Sequence, residues 1–455
     1  MRTPIVLVLF AITAACATVQ DVDKSFHPQS TTQIMGARGP LTAQQSKALL
    51  DKITTEAGEA GVLRRHLTIE EAVAESSLVA GNHTKLLADG TDTFPAMFSA
   101  IKNAKEHVNL EYYIFEDVES GGELLGDLLI AKRNEGVAVN IIYDSYGSDS
   151  TAADFFKRLK AAGINVVEFN PINPLDARVG YSLNNRDHRK ILVVDGAKAI
   201  VGGINLSTTY QSSSLGKSGA VKDKPDQRWR DTDLEIDGPV VAQLQTLFLD
   251  HWSQQKGPLL ESGKFYPTVP AKGTEVVRII GSTPDHSIPR YYVTLLSAIR
   301  NAEKSIWLSA AYFVPTDQEK EDLIAAARRG VDVRLLLPGD SDSQMAMAVG
   351  HSHYSALLES GVKIYETQNL VLHSKAAVID GVWTVVGSSN FDRRSVLFND
   401  EVDALVLGSA TAQELQKMLE GDIQNARPID IASWKGRPIA QRFKEIYARI
   451  WQDWL

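Results

Sequence analysis

Two short apolar stretches of this sequence each begin with a histidine and a lysine two residues apart. They are HRKILVVDG, which starts at His188, and HSKAAVIDG, which starts at His373. Residues two apart in a strand point to the same side, so Lys190 should project beside His188 and Lys375 beside His373. An imidazole titrates near working pH and can act as a nucleophile, an acid or a base, while a lysine supplies positive charge. The pattern therefore predicts chemistry rather than simple strand packing.

Each stretch continues in the same way toward an asparagine. Asp195 is followed, after six residues, by GGIN ending at Asn205, and Asp380 is followed, after six residues, by GSSN ending at Asn390. The Asp-Gly pairs predict tight hairpin turns, which would fold each asparagine back beside its histidine and lysine. A single copy is a weak signal, because a histidine and a lysine on one strand are more often surface residues. Two copies at the same spacing favour a catalytic site.

The two motifs belong to two halves of the chain that repeat one plan. AIKNAKEHVNLEYYIF from Ala100 is echoed by AIRNAEKSIWLSAAYFV from Ala298, and GVAVNIIYD from Gly136 by GVDVRLLLP from Gly330. Helical stretches alternate with short β-branched runs, which is typical of an α/β layer structure. We therefore expect an α/β fold of two similar sandwich domains related by a pseudo-twofold axis, with one active site at their interface.

The length of 455 residues exceeds the usual limit of a single core, which favours two domains. The predicted division of the chain is an export or lipoprotein signal (1–16), a helical or linker region (17–81), a first domain (82–254), a linker rich in proline, glycine and lysine (255–273), and a second domain with a C-terminal helix (274–455). The formal charge of −9 disfavours a nucleic-acid partner, because polyanions are normally bound by clustered lysine and arginine.

The chain has one cysteine, Cys16, which follows an apolar stretch too short to span a bilayer. This stretch and the small residues of TAAC predict an export signal, and we favour a bacterial lipoprotein signal, with Cys16 as the lipidated first residue, over a plain secretory one. Ala17 is not the aspartate associated with retention in the inner membrane, so the expected location is the periplasmic face of the outer membrane. No other cysteine remains for a disulfide or a cysteine-based metal site.

The duplicated H-x-K-x4-D-x6-G-[GS]-x-N pattern resembles the hallmark of the phospholipase D superfamily, and the resemblance extends from about Asn82 to the C-terminus. Within that superfamily, NNRDHRKILVVDG, WRDTDLEIDGPVV, AAYFVP and NDEV look most like bacterial cardiolipin synthases. The resemblance implies a phosphatidyltransferase that acts on phospholipids at a membrane surface, with phosphatidylglycerol or a similar alcohol as acceptor. Those enzymes typically have membrane-spanning N-terminal helices, whereas this chain has a signal-like segment.

The same resemblance implies roles for the motif residues. One histidine attacks phosphorus to form a phosphohistidine, and the other protonates the leaving alcohol and then deprotonates the incoming alcohol or water. We favour His188 as the nucleophile and His373 as the acid and base. The predicted donors to the phosphoryl oxygens are Lys190, Lys375, Asn205, Asn390 and Ser388, the last of which is replaced by Gly203 in the first half.

Each histidine also needs a carboxylate on its other nitrogen to fix its tautomer. Glu401 fits this role in the second half and Asp231 fits it in the first. Asp195 and Asp380 count among the candidate catalytic residues as members of the motif, but their position at strand ends, out of phase with histidine and lysine, favours a structural role. No cofactor or metal is required, because lysine and asparagine already supply the positive field.

Three other segments leave alternatives open. His351 and His353 suggest a metal pair, which is disfavoured because partner ligands are lacking. The polar insertion 207–227 is either disordered or a lid over the active site. Near the C-terminus, helical spacing favours a helix packed on the core over one in the membrane interface; the apolar residues concerned are Ile439, Phe443, Ile446, Ile450 and Trp454.

The main functional alternative to transfer is a phospholipase D that hydrolyses phospholipids to phosphatidic acid, since both reactions share the covalent step. A superfamily nuclease is disfavoured by the acidic composition, and a non-enzymatic lipid-binding protein by the intact motifs in both halves. A transferase must keep water away from the intermediate, and the aromatic residues Trp229, Tyr312 and Phe313 beside the motifs are candidates for this task.

Overall fold

The computed structural model describes residues 32–56, 58, 62–171, 182, 184–211, 228–260, 265–286 and 288–452. The segment around Cys16, most of the 207–227 insertion and Trp454 lie outside these described residues. Within the part that is described, no helix combines the length and the apolar character needed to cross a membrane.

The chain begins with a small region that leads into the first α/β half. The N-terminal region contains β1 (Ile34–Gly36), β2 (Gly39–Pro40), α1 (Ala43–Glu56) and α2 (Val62–Val73). The first half contains β3 (Leu78–Ala88), α3 (Asp89–Asn103), β4 (His107–Tyr112), β5 (Glu119–Ser120), β6 (Glu123–Leu124), α4 (Leu125–Asn134), β7 (Ala138–Asp144), α5 (Ala153–Ala161), β8 (Asn165–Phe169), β9 (Arg186–Asp187), β10 (Lys190–Val194), β11 (Lys198–Gly202), β12 (Arg228–Arg230), β13 (Thr232–Asp237) and α6 (Val241–Gln254).

The second half repeats this order and ends in additional helices. It contains β14 (Glu275–Ser282), α7 (Arg290–Asn301), β15 (Ser305–Ala310), α8 (Asp317–Arg328), β16 (Asp332–Leu337), α9 (Gln344–Glu359), β17 (Lys363–Glu366), β18 (Leu370–Leu372), β19 (Lys375–Ile379), β20 (Trp383–Gly387), α10 (Arg393–Leu397), β21 (Asn399–Leu407), α11 (Ser409–Gln424), β22 (Arg427–Ile429), α12 (Ile431–Lys435) and α13 (Ile439–Arg449).

The two halves have the same sheet topology. The strand order is β8-β7-β4-β10-β11-β13-β3 in the first half and β17-β16-β15-β19-β20-β21-β14 in the second. The equivalent strands β3 and β14 then pair with each other in antiparallel orientation. Because antiparallel pairing of equivalent elements is what a twofold axis between them produces, the structure has the expected pseudo-twofold arrangement of two α/β domains.

The motif strands are buried on both faces, and successive residues pack into different hydrophobic cores. In β10, Leu192 packs in the core of the first half. Ile191 and Val193 instead pack in an apolar layer that also holds Val378 and Val386 of the second half. Since successive strand residues point to opposite faces, this near-continuous apolar run is what a strand between a helical layer and another sheet requires.

Two short pairs of parallel strands connect the two halves beside the apolar layer between their sheets. β9 pairs with the start of β21, where Asp187 is aligned with Asp400. β12 pairs with β18, where Arg230 is aligned with Leu372. β9 directly precedes His188 and β18 directly precedes His373, so the ladders fix the position of each half's histidine relative to the other half's backbone.

The C-terminal helix differs from the expectation. Helix α13 forms where the spacing predicts it, but Ile439, Phe443, Ile446 and Ile450 are between 64% and 70% exposed. The expectation that these residues pack on the core is wrong, because the side of α13 that contacts the domain is the opposite one, around the buried residue Ala448.

Candidate active site

A pocket of about 500 Å³ lies where the two halves meet. Both halves supply its walls, including both motif histidines and both motif asparagines; the residues concerned are His188, Asn205, Trp229, Tyr312, His373 and Asn390. The structure therefore brings the two motifs, which are far apart in the sequence, to one shared site.

The motif aspartates pin the catalytic strands in place from outside the pocket. The Asp195 carboxylate accepts hydrogen bonds from the backbone N–H groups of residues 105–107, at 2.8 to 2.9 Å. Asp380 accepts the equivalent bonds from residues 303–305, with the shortest at 2.7 Å. Both aspartates have a positive φ, 51° and 52°, at the hairpin turn. These contacts assign Asp195 and Asp380 a structural role, which fits their position at the strand ends.

Each motif histidine contacts a buried carboxylate from the other half of the chain. His188 Nδ1 lies 3.0 Å from Glu401 Oε2, and His373 Nδ1 lies 2.7 Å from Asp231 Oδ2. The backbone follows the same exchange, because His188 N–H donates to the carbonyl of Asp400 and His373 N–H to that of Arg230. Donation from Nδ1 to a carboxylate leaves Nε2 as the nitrogen available to a substrate.

This exchange corrects the assignment made from the sequence, which gave Glu401 to the second half and Asp231 to the first. Both carboxylates do contact a histidine, but Glu401 serves the first half's His188 and Asp231 serves the second half's His373. The physical reason is the β9–β21 and β12–β18 ladders, which place the strand preceding each histidine beside the strand that leads to the opposite carboxylate.

The two motif lysines lie beneath the pocket, only 1% and 3% exposed. Lys190 Nζ donates to the carbonyl of His188 at 2.5 Å, and Lys375 Nζ donates to the carbonyl of His373. Burial lowers the pKa of Lys190 to about 7 and that of Lys375 to about 8, although Glu401 and Asp231 oppose this shift. The lysines thus place positive charge directly behind the histidines in a poorly solvated environment.

The histidines differ in their electrostatic surroundings. Burial lowers the pKa of His188 well below its ordinary value, and the neighbouring Lys190 and Lys375 lower it further. Burial and Lys375 also lower the pKa of His373, but the Asp231 carboxylate acts in the opposite direction. His373 therefore holds a proton more readily than His188 does.

Ser388 does not occupy the position predicted for it. Its hydroxyl donates to Glu401 Oε2 at 2.5 Å and accepts from the backbone N–H of Val402 at 2.9 Å. Its single hydrogen is therefore already bound, and Ser388 supports a carboxylate instead of donating to a phosphoryl oxygen. Asn205 and Asn390 do line the pocket. The side-chain oxygen of Asn205 accepts a hydrogen bond from the backbone N–H of Ile114 at 3.2 Å, so the side-chain NH2 group of Asn205 is the part that can donate to a substrate.

The first half replaces this serine with glycine for a reason visible in the structure. A Cβ added to Gly203 would stand 2.2 Å from Asp231 Oδ1, closer than any non-bonded contact. Asp231 therefore fills the space that the side chain of Ser388 occupies in the second half. The two carboxylates are therefore held differently: Asp231 lies against the backbone of Gly203, and Glu401 accepts a hydrogen bond from the hydroxyl of Ser388.

Several residues that complete the site were not predicted. Ser395 Oγ and Asn399 Nδ2 donate to Glu401 at 2.8 and 3.1 Å, and Tyr210 OH lies 3.0 Å from His373 Nδ1. Arg186 and Arg394 add cationic groups to the pocket wall. Arg186 and Asn399 lie inside the blocks NNRDHRK and NDEV, and Tyr210 lies at the start of the 207–227 insertion considered as a lid, so a sequence signal was present for these three. Nothing in the sequence marks Ser395 or Arg394.

The aromatic residues expected beside the motifs have different positions. Trp229 and Tyr312 line the pocket, with ring centroids 5.3 and 6.2 Å from that of His373. Phe313 is buried and stacks on Phe391, with centroids 5.4 Å apart. Trp229 and Tyr312 thus form apolar surface next to the imidazole, while Phe313 belongs to the core.

Two groups of potential metal ligands have structural partners in the protein. His351 Nε2 lies 3.0 Å from the Glu366 carboxylate and packs edge-on against Trp434. In the first half, Glu111, Asp187 and His251 cluster, but the guanidinium of Arg189 reaches Glu111 at 3.2 Å. The cationic side chain of Arg189 therefore already balances the charge of that cluster.

The duplicated sheets and the shared site with two histidines define a phospholipase D-type enzyme. A model of the family described as "Cardiolipin synthase, PLD-like domain" matches residues 97–226 and 295–423, and the chain belongs to this family. The chain is an enzyme of the phosphatidyltransferase class, as members of this family are.

Individual relatives of known sequence support the assignment of the chain to this family. A cardiolipin synthase of Alkalihalophilus pseudofirmus is 35% identical over 372 residues, which cover 81% of this chain and 71% of the relative. A cardiolipin synthase of Geobacillus thermodenitrificans is 34% identical over 381 residues, covering 83% and 73%. The solved structure of phosphatidylserine synthase from Haemophilus influenzae matches with a TM-score of 0.63 over 85% of this chain and 98% of its own, at 14% identity, which shows a shared fold.

The different support of the two carboxylates leads to a matched pair of mutations. Gly203→Ala should displace Asp231 from His373 and lower the turnover number by at least about 100-fold, because proton transfer by a positioned group contributes on that scale. Ser388→Gly removes one hydrogen bond to Glu401 but leaves Ser395 and Asn399 in place, so its loss should be smaller. Steady-state kinetics on labelled phospholipid, with thermal unfolding to verify folding, measures both. Equal losses in the two variants would show that Gly203 has no special relation to Asp231.

Proposed function

We propose that this enzyme transfers a phosphatidyl group from one phospholipid to the hydroxyl of a glycerol-headed phospholipid, which forms cardiolipin when phosphatidylglycerol is both donor and acceptor. The observation that carries the proposal is the pair of histidines at one pocket, each with its Nδ1 on a buried carboxylate. The relatives' names, cardiolipin synthase, support the choice of substrates.

The proposed reaction has two displacements at phosphorus. In the first, Nε2 of His188 forms a bond to phosphorus while the bond to the leaving glycerol oxygen breaks, and His373 gives its proton to that oxygen. In the second, His373 takes the proton of the acceptor hydroxyl as its oxygen attacks, and the phosphorus–nitrogen bond breaks. The amides of Asn205 and Asn390 and the charges of the lysines are placed to stabilise the phosphoryl oxygens in both steps.

The assignment of roles follows from the surroundings of the two imidazoles. A nucleophile must be neutral, and the charges of Lys190 and Lys375 together with burial favour the neutral form of His188. A general acid must carry a proton; burial and Lys375 lower the pKa of His373, but the Asp231 carboxylate opposes this shift and favours the protonated form. These opposite requirements support His188 as the nucleophile and His373 as the acid and base.

The covalent step can be tested with a substrate that needs no general acid. His188→Ala should abolish turnover of every phosphodiester, whereas His373→Ala should still react with a phosphatidyl ester of an acidic phenol, because that leaving group departs without protonation. The His373→Ala enzyme should then accumulate phosphohistidine at His188, since no base remains to activate the acceptor. Rapid-quench labelling and peptide mass spectrometry locate the phosphoryl group.

His83→Ala provides a control, because His83 is exposed and lies away from the pocket. Its activity and labelling should equal those of the unmodified enzyme. Phosphohistidine found at residue 373 in the unmodified enzyme would reverse the proposed roles, and rapid turnover without any covalent species would exclude the double-displacement mechanism.

Transfer competes with hydrolysis at the phosphohistidine. The rings of Trp229 and Tyr312 beside His373 present apolar surface where water would otherwise approach. Arg186 and Arg394 place two guanidinium groups in the same pocket wall, which suits an acceptor that carries a phosphate of its own. Both features favour a phospholipid acceptor over water.

The products formed from labelled phosphatidylglycerol test this preference. We expect cardiolipin and free glycerol as main products, and Arg394→Gln should lower the ratio of cardiolipin to phosphatidic acid while the rate of glycerol release falls less. Thin-layer chromatography of the lipids and an enzymatic glycerol assay provide the two readouts. If phosphatidic acid were the main product even with abundant acceptor, the enzyme would be a phospholipase D instead.

The cellular location is a separate proposal that rests on the sequence around Cys16, outside the described residues. We propose that the protein is exported and anchored by acyl chains on Cys16 at the periplasmic face of the outer membrane. Two or more chains anchor a protein firmly, whereas a single chain binds marginally. Mass spectrometry of the mature N-terminus should find a diacylglyceryl cysteine, and Cys16→Ser should weaken the attachment of the protein to that membrane. An unmodified N-terminus would refute the anchor.

A further inference from the structure

Helix α13 presents its apolar side to solvent, which is the reverse of an ordinary surface helix. The side chains of Ile439, Phe443, Ile446 and Ile450 are 70%, 68%, 64% and 69% exposed. At 100° per residue they lie within one sector of the helix, and Tyr447, 57% exposed, extends it. Isolated exposed apolar residues are normal, but a continuous stripe along three turns marks an interaction surface.

The opposite side of α13 holds the helix to the domain through small and polar groups. Ala448 belongs to an apolar cluster with Val349 and Ala346 of helix α9. Glu445 is buried and pairs with Arg437 at 2.6 Å. Just beyond the helix, Gln452 donates to the carbonyl of Pro315 at 3.0 Å. The helix is therefore seated in a defined orientation, and its apolar stripe faces outward as part of the folded structure.

Positive charges flank the apolar stripe. Arg442 and Arg449 lie along one edge and Lys444 along the other, and all three are exposed. The acidic residue of the helix, Glu445, is neutralised by Arg437 on the packed side. This cationic border stands out on a chain whose formal charge is −9. An apolar stripe bordered by lysine and arginine is the composition of helices that lie in the interface of anionic membranes.

Helix α13 also lies close to the active site. Ala448 belongs to the same apolar cluster as Val314 and Ala346. Val314 and Ala346 also line the pocket that holds His188 and His373. The packed side of α13 therefore lies against the wall of this pocket, and a surface that meets the stripe from outside lies one helix diameter, ~10 Å, from that wall.

We propose that α13 inserts its apolar stripe into the interface of an anionic phospholipid bilayer and thereby holds the pocket close to the surface from which the substrate comes. This rests on the proposed function only in that the substrate is a membrane phospholipid. A second copy of this chain fits less well, because an isologous contact would bring the two sets of Arg442, Lys444 and Arg449 together.

The docking of α13 can be measured without any assay of activity. With Cys16→Ser, the chain has no cysteine, so Ile450→Cys introduces a single position for an environment-sensitive fluorophore. We expect its emission to shift to shorter wavelength with phosphatidylcholine vesicles that contain phosphatidylglycerol, and to shift much less with phosphatidylcholine alone. Leu259→Cys, 98% exposed and remote in sequence from α13, is the matched control and should not respond. No response at position 450 with either vesicle would overturn the proposal.

A kinetic comparison tests the consequence for catalysis. The double substitution Phe443→Ser and Ile446→Ser should lower kcat/KM on vesicles by about tenfold or more, because the variant loses the favourable free energy of moving two apolar side chains from water into the membrane interface. The same variant should keep its activity on monomeric short-chain phosphatidylglycerol, because neither residue lines the pocket. Leu259→Ser with Tyr266→Ser removes two exposed apolar residues elsewhere and should change neither activity.

The two experiments separate the proposals. An unmodified enzyme inactive on both substrates, with a normal fluorescence response, would sink the proposed function and leave the docking intact. Sedimentation showing a dimer that the Phe443 and Ile446 substitutions dissociate, with no fluorescence response to vesicles, would identify a second copy as the partner of α13 and overturn membrane docking.

Discussion

The exchange of carboxylates between the halves is the constraint on which the rest of the structure depends. Glu401 and Asp231 are fully buried, and each meets an imidazole that the other half supplies. Removing one partner of such a pair leaves an uncompensated buried group, which typically costs about 3–5 kcal/mol. Neither half can therefore form a satisfied site alone. The β9–β21 and β12–β18 ladders, the β3–β14 junction and the apolar layer between the sheets all maintain this one exchange.

Duplication gives the site its parts, but departures from symmetry give the two histidines different tasks. Glu401 is held by three side-chain donors, Ser388, Ser395 and Asn399. Burial nevertheless raises its pKa to about 7, against the opposing influence of Lys190. Asp231 is instead fitted against Gly203 and lies 2.7 Å from His373. A strictly symmetric pair would titrate as one unit, whereas unequal carboxylates separate the affinity of the two imidazoles for protons.

The sequence predicted those features that are local or repeated. The hairpins after Lys190 and Lys375 follow from Asp-Gly turns and apolar runs, and the repeat predicted two matching domains with a shared site. The partner of each histidine could not be predicted, because strand pairings between distant segments leave no local trace. Ser388 was misassigned because its hydrogen bond to Glu401 is a property of tertiary packing. Helix α13 was correctly placed by periodicity, but periodicity does not tell which environment meets the apolar side.

The buried lysines show how the site selects an anionic group. Burial destabilises the charged forms of Lys190 and Lys375 and lowers their pKa values to about 7 and 8. A phosphodiester bound beside the histidines brings negative charge into the same poorly solvated space, and this favours the charged lysines again. Part of the desolvation cost is thus offset only when the substrate is present. Negative charge that develops on the phosphoryl oxygens in the transition state strengthens this effect, so the two lysines stabilise the transition state more than the bound substrate.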